Sequence, residues 1–202
     1  MKEAIIIFVR NPELGKVKTR LAKGIGDERA LQVYIKLLQH THNCVSAIDC
    51  DRFVYYVDEI TMHDLWVNNL YHKKVQQGND LGERMMLAFS ELFQHGYSKI
   101  IIIGSDCPGL SSAILKNAFN KLNEADIVLG PSTDGGYYLL GMKIVHPQLF
   151  QHIQWSTDTV LKDTQKIISS INKSATLLPE LTDIDEAKDL QHFHLFNTTS
   201  DC

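Results

Sequence analysis

No run of apolar residues in this 202-residue chain approaches the roughly 18–20 that a membrane-spanning helix requires. The run Ala4-Ile5-Ile6-Ile7-Phe8-Val9 is short, is interrupted by Arg10 and is followed by no small-residue cleavage site, which argues against a secretory signal. Cysteine is scarce. Cys44, Cys50, Cys107 and Cys202 show neither CxxC nor zinc-finger spacing and read as free thiols, since a chain of this length needs no disulfide to hold its core. Positive charge is not in excess, and a net charge of -4 argues against a general nucleic-acid binder, whose affinity rests on surplus Lys and Arg. The nine histidines contain no HxxxH or HExxH ligand pattern, and His192-Phe193-His194 reads as surface. Asn197-Thr198-Thr199 fits a glycosylation sequon, but without a secretion signal it carries little weight. Repeats, low-complexity segments and linkers are also missing. These absences leave one cytoplasmic domain spanning residues 1–202, with no membrane and no nucleic-acid partner.

What the chain does contain is ordinary for a folded protein: 44% hydrophobic and 22% charged residues, values that exclude disorder. Apolar runs alternate with helical patterns from end to end. Strands are expected at Ala4–Val9, Arg52–Val57, Lys73–Gln77, Lys99–Ile103, Asp126–Gly130, Tyr137–Met142 and about Ala175–Leu178. Helical spacing covers about Asp27–Ile48, a short Asp64–Leu70 segment, Leu81–Phe93, a stretch through Leu122 capped by Ser111 or Ser112, Thr157–Ile171 and Asp185–Phe193. Strand and helix alternating at this spacing imply βαβ crossovers and a mostly parallel sheet.

Open α/β sheets bind ligands beyond the carboxyl ends of their strands, so the segments after the strong strands hold the chemistry. The first is Arg10-Asn11-Pro12-Glu13-Leu14-Gly15-Lys16-Val17-Lys18-Thr19-Arg20. With Gly15 allowing a turn and a helix beginning near Lys18, the side chains of Lys16, Lys18 and Arg20 can converge on an anion; the plain alternative is a solvated basic loop. A Walker A loop would need Gly where Arg10 stands and Ser or Thr where Val17 stands, so the P-loop reading fails.

The second segment is Gly104-Ser105-Asp106-Cys107-Pro108-Gly109. Four isoleucines deliver Asp106 to the sheet edge, where a carboxylate is costly unless solvated or paired with a cation. A divalent metal carrying phosphate oxygens is one natural partner; capping of the Pro108 turn is the other reading. The third is Gly130-Pro131-Ser132-Thr133-Asp134-Gly135-Gly136-Tyr137, which reads either as a hairpin turn or as backbone that lets a ligand approach closely. Two further clusters are weaker. Gln77-Gly78-Asn79-Asp80-Leu81-Gly82-Glu83-Arg84 lines a base or acceptor pocket or is simply a helix start capped by Asp80, and Asp183-Ile184-Asp185-Glu186 offers a second carboxylate or a cap.

The ordered segments F-V-R-N-P-E-L-G-K-V-K-T-R-L-A, Q-G-N-D-L-G-E-R-M, G-S-D-C-P-G-L, G-P-S-T-D-G-G-Y-Y-L-L-G and D-I-D-E-A-K-D-L together resemble the DUF2064 family, over about residues 4–191. That family is similar to the GT-A nucleotide-diphospho-sugar transferases, including phospholactate and molybdenum-cofactor guanylyltransferases. The resemblance implies an α/β three-layer α/β/α sandwich with a mostly parallel mixed sheet. It implies a nucleotide (NTP or NDP-sugar) bound at Arg10, Gly15, Lys16, Lys18, Arg20, Gln77, Gly82, Ser105 and Asp106, and a small-molecule acceptor at Asp134, Gly135, Gly136 and Tyr137. Lys16, Lys18 and Arg20 would face the phosphates, and Mg²⁺ or Mn²⁺ would sit on Asp106 with Asp185 as second ligand. Two features depart from those relatives: R-N-P-E-L-G-K replaces a GxGxR-type loop, and Ser105-Asp106-Cys107 carries one acid where many glycosyltransferases carry DxD. The expected activity is metal-dependent transfer of an NMP from an NTP to a small phosphorylated acceptor, with release of pyrophosphate. Glycosyl transfer from an NDP-sugar, or nucleotide binding without catalysis, are the alternatives.

Overall fold

The computed structural model describes residues 2–193, excluding the side chain of His192. His194, the sequon at 197–199 and Cys202 lie outside the described residues. Seven strands form one sheet: β1 (Glu3–Val9), β2 (Asp51–Tyr56), β3 (His72–Val75), β4 (Lys99–Ile103), β5 (Ile127–Pro131), β6 (Tyr137–Met142) and β7 (Ala175–Leu177). Their order is β3-β2-β1-β4-β6-β5-β7. All neighbours pair in parallel except β6, which runs antiparallel to both β4 and β5. The Ser132–Gly136 segment is therefore the turn of a β5–β6 hairpin, as one reading of Asp134-Gly135-Gly136 anticipates.

The described residues form five α-helices, α1 (Thr19–Ile25), α2 (Asp27–Ser46), α3 (Leu81–Gln94), α4 (Ser112–Lys121) and α5 (Val160–Ser170); α2 to α5 cover the sheet, while Leu21 of α1 packs against Leu37 of α2. Successive side chains of a strand point to opposite faces, and β1 shows the consequence. Ile5, Ile7 and Val9 pack with Tyr34 and Leu38 of α2 and Leu115 of α4, while Ala4 and Ile6 pack with Phe89 and Leu92 of α3 and Ile168 of α5. The result is a three-layer α/β/α sandwich. All five residues of β4 are buried, which is why its isoleucines run without alternation. The α3 start is capped by Asp80, whose Oδ1 accepts from Glu83 N at 2.8 Å, and the α4 start by Ser111, whose Oγ accepts from Ile114 N at 3.3 Å.

Two expected elements differ. Residues 64–70 form turns rather than a helix. Their apolar spacing serves one anchor instead: Trp66 is buried, its ring 5.1 Å from that of Tyr71, and its backbone N–H donates to Asp64 Oδ1 at 3.0 Å, while Val67 and Leu70 stay exposed. Over the helix expected at Asp185–Phe193, the described residues form only a 3-10 turn, Asp189–His192. Asp189 Oδ2 accepts from the backbone N–H groups of Asp185 (3.0 Å) and Glu186 (2.7 Å), and Asp185 caps no helix. Cys44, Cys50 and Cys107 are free thiols, and burial pushes Cys50 up to about 12. No helix among the described residues is long and apolar enough to cross a membrane.

Candidate functional site

At the end of β1 the sheet splits. Val9 O accepts from Val57 N on the β2 side (3.1 Å), whereas beyond β4 Gly104 N donates to Tyr138 O on the β6 side (3.3 Å). This divergence is the topological switch point, where an open sheet leaves room for a ligand. A cleft of about 790 Å³ opens there. Its walls come from the carboxyl ends of four parallel strands: Val9 and Arg10 after β1, Val57 after β2, Gln76 after β3, and Gly104, Ser105 and Asp106 after β4. Lys16, Lys18, Arg20 and Asp185 complete one side, and Asn79, Leu81, Arg84 and Ser156 line it further round.

Charge in this cleft is arranged in pairs. Lys18 Nζ donates to Asp106 Oδ2 at 3.0 Å, with the lysine side chain only 7% exposed and the aspartate 44%. Lys18 adopts a left-handed backbone (φ 48), uncommon for a residue with a side chain, and this conformation immediately precedes α1. Arg20 Nη2 lies 2.7 Å from Asp185 Oδ2, and Lys16 Nζ 2.6 Å from Glu13 Oε2; both pairs are largely exposed. Exposed pairs of this kind are worth little and open readily for a competing anion.

Asp106 has a second acidic neighbour. Burial, and then the Asp106 charge, push the Asp183 carboxyl up to about 7. Burial also presses on Asp106, but the Lys18 ammonium outweighs it and holds that carboxyl below the usual range. Asp183 Oδ2 accepts from Ser132 Oγ at 2.6 Å, while its Oδ1 is buried without a hydrogen-bond partner. Two acids that repel each other, one with an orphaned oxygen, suit a hard cation. Among the described residues no three His, Cys, Asp or Glu side chains converge to enclose a metal. A Mg²⁺-like ion, which takes one or two carboxylates and brings phosphate and water for the rest, would need no such cluster.

The cleft brings together Arg10, Lys16, Lys18, Arg20, Ser105, Asp106 and Asp185 of the expected residues. Gly15 supplies the turn ahead of Lys16 (φ 74). Gln77 is exposed and outside the lining, where its neighbour Gln76 stands instead, fixed by donating from Nε2 to Tyr55 O at 2.9 Å. Gly82 is buried under Trp155; a Cβ there would lie 2.5 Å from the indole nitrogen. Asp134, Gly135, Gly136 and Tyr137 do not line the cleft. Asp134 Oδ1 accepts from Gly136 N at 2.9 Å within the hairpin turn, and Gly135 (φ 87) packs so closely on Asp158 that a Cβ would fall 2.1 Å from its carbonyl oxygen. Through Asp158 that turn supports the loop bearing Ser156, which does reach the cleft. Residues not singled out from the sequence are Asp183, whose only signal was its place in D-I-D, and Tyr34 and Ser156, which had none.

A profile of the family described as "Uncharacterized protein conserved in bacteria (DUF2064)" matches residues 40–157. The chain belongs to the DUF2064 family. Among solved structures, a candidate nucleotide-diphospho-sugar transferase from Desulfovibrio desulfuricans G20 shares 31% identity, with a TM-score of 0.88 over 100% of this chain and 90% of that one. Two more distant structures share the fold. CMP:2-keto-3-deoxy-manno-octonic acid synthetase complexed with CTP is 8% identical, with a TM-score of 0.57 and 98% of each chain covered. Rv0371c from Mycobacterium tuberculosis H37Rv, in complex with manganese, is 11% identical, with a TM-score of 0.56 and 98% of each covered. No curated protein matches the chain.

Proposed function

We propose that this DUF2064 member is a metal-dependent, nucleotide-using transferase, and that its reaction is nucleotidyl transfer. The observation that carries this reading is the switch-point cleft in which Lys18 and Arg20 face Asp106 and Asp185. The name of the Desulfovibrio protein and the CTP bound to the synthetase support nucleotide use, and the manganese in Rv0371c supports a divalent ion.

In this reaction an acceptor oxygen attacks the α-phosphorus of an NTP. The bond between the α-phosphorus and the bridging oxygen breaks, and pyrophosphate leaves with that oxygen. Lys16, Lys18 and Arg20 release their carboxylate partners and hold the departing phosphates, in a cleft whose walls position the reactants and limit water. Asp106 would hold the ion, which when bound supplies neutralisation of phosphate charge, with Asp185 in the cleft lining or Asp183 behind Asp106 as a second carboxylate; Asp185 also pairs with Arg20. Catalysis of this type rests on positioning and charge rather than on a protein nucleophile.

Glycosyl transfer from an NDP-sugar uses the same phosphate-binding groups, and the Desulfovibrio protein's name favours it. Product analysis separates the two: pyrophosphate from an NTP in the first, a nucleoside diphosphate from a sugar nucleotide in the second. Asp106→Asn keeps the shape of the side chain and removes its charge. We expect turnover to fall by at least about 100-fold, the scale of losing one electrostatic stabiliser, with the circular dichroism spectrum unchanged. Near-normal activity in the folded variant would remove Asp106 from the chemistry.

A further inference from the structure

We infer that Tyr34 is a positioning residue, whose hydroxyl sets the spacing between the loop carrying Lys18 and the loop carrying Asp106 and thereby the affinity of the cleft for a magnesium-bound nucleotide. The inference rests on the nucleotide-binding reading above. Its ground is the split in the sheet. The β1–β4 register ends at Ile7 and Ile103. Past that point one chain is bonded toward β2 and the other toward β6, as the Val57–Val9 and Gly104–Tyr138 hydrogen bonds record. The two halves of the cleft thus diverge just where their charged residues must act together.

Tyr34 closes this gap from α2. Its hydroxyl accepts from Arg10 N at 2.9 Å, donates to Arg10 O at 3.1 Å, and lies 3.4 Å from Ser105 Oγ, which can donate to it. One proton and two acceptor positions satisfy all three contacts. The residue is 4% exposed and packed in the α2 core layer, so its tip is a fixed point rather than a mobile side chain. Burial also raises its pKa, which keeps the donor present through the neutral range. The Lys18–Asp106 ion pair also bridges the split. A ligand that draws Lys18 to phosphate and Asp106 to a cation dissolves that bridge, and Tyr34 then remains to hold the loops at their working distance.

The test compares Tyr34→Phe with Leu38→Val, a buried neighbour one helical turn along that has no place in the cleft lining. Affinity is measured calorimetrically at low temperature, where both variants are folded. The probes are the best-binding of the four Mg-NTPs and inorganic tripolyphosphate without magnesium. Losing the hydroxyl's contacts should weaken Mg-NTP binding about tenfold in Tyr34→Phe. Tripolyphosphate, which engages the basic loop alone, should lose less than about twofold, since the tie to the Asp106 loop does not enter. Leu38→Val should bind both probes as the wild type does. Equal Mg-NTP affinity in Tyr34→Phe and wild type, or an equal loss for both probes or in both variants, would overturn the positioning role. A wild type that binds no nucleotide at all would instead remove the functional reading, and the inference with it.

Discussion

Burial of Asp183, together with the Asp106 charge beside it, has a measurable consequence for stability. Asp183 rises from an ordinary value of 3.8 to about 7 in the folded protein. The folded state therefore retains a proton that the unfolded state gives up, so stability falls as pH climbs from about 4 through 7. At about 1.4 kcal/mol per unit, a shift of this size corresponds to an upper limit of roughly 4 kcal/mol. The amide of an Asn at this position would itself be a buried polar group and offset part of that. Asp183→Asn removes the charge and can keep the hydrogen bond with Ser132 Oγ. At pH 8 the variant should be about 2 kcal/mol more stable than wild type, and at pH 4.5 the two should agree within about 1 kcal/mol. Urea unfolding followed by the fluorescence of Trp66 and Trp155 at pH 4.5, 6 and 8 measures this directly. A variant less stable than wild type at every pH, or a wild type whose stability does not fall from pH 5 to 8, would refute the raised Asp183 pKa. Asp106 contributes with the opposite sign: its depressed pKa gives stability present above about 4 and lost on further acidification.

Two further substitutions probe the frame around the cleft. Gly82→Ala forces a methyl into Trp155 and should cost about 1–3 kcal/mol in urea unfolding, with a changed Trp155 emission; unaltered stability would mean that α3 and the 151–159 loop are not in contact. Lys73 is 6% exposed and pairs with Asp64 at 2.8 Å while also donating to Thr61 O at 2.6 Å. Lys73→Met should destabilise by about 1–3 kcal/mol by taking the cation from the half-buried Asp64 carboxylate, which keeps its hydrogen bonds from Tyr56 and Trp66, and a loss below about 1 kcal/mol would show that the loop rearranges to solvate Asp64.

Much of the fold is legible because burial leaves few choices. A strand covered on both faces must read as Lys99-Ile100-Ile101-Ile102-Ile103, and the residues after Ile103 must emerge at the sheet edge, so Asp106 is locatable without coordinates. Lys18 and Arg20 come after β1 for the same reason. The Asp64–Leu70 segment misleads because four apolar residues at helical spacing also arise when one large ring is buried and its neighbours are left outside. The choice between Asp183 and Asp185 depends on long-range partners: Ser132, 51 positions away, takes the first, and Arg20 takes the second. Tyr34 is invisible for a related reason, since a tyrosine on the buried face of a helix reads as core until its hydroxyl is found on Arg10 and Ser105. The acceptor reading of Asp134-Gly135-Gly136 and the hairpin reading share one signal; the β5–β6 pairing makes the segment a hairpin turn, and it lies outside the cleft lining.

The central claim is that the cleft binds a nucleotide through its phosphates together with a divalent ion. A thermal-shift panel of the four NTPs and common NDP-sugars, each with and without Mg²⁺, tests it most directly, because a ligand of the folded state raises the melting temperature by mass action. The account predicts a base-selective rise with one or two nucleotides that requires Mg²⁺ and is lost in Asp106→Asn. Equal, magnesium-independent responses to every nucleotide, or no response to any, would contradict it.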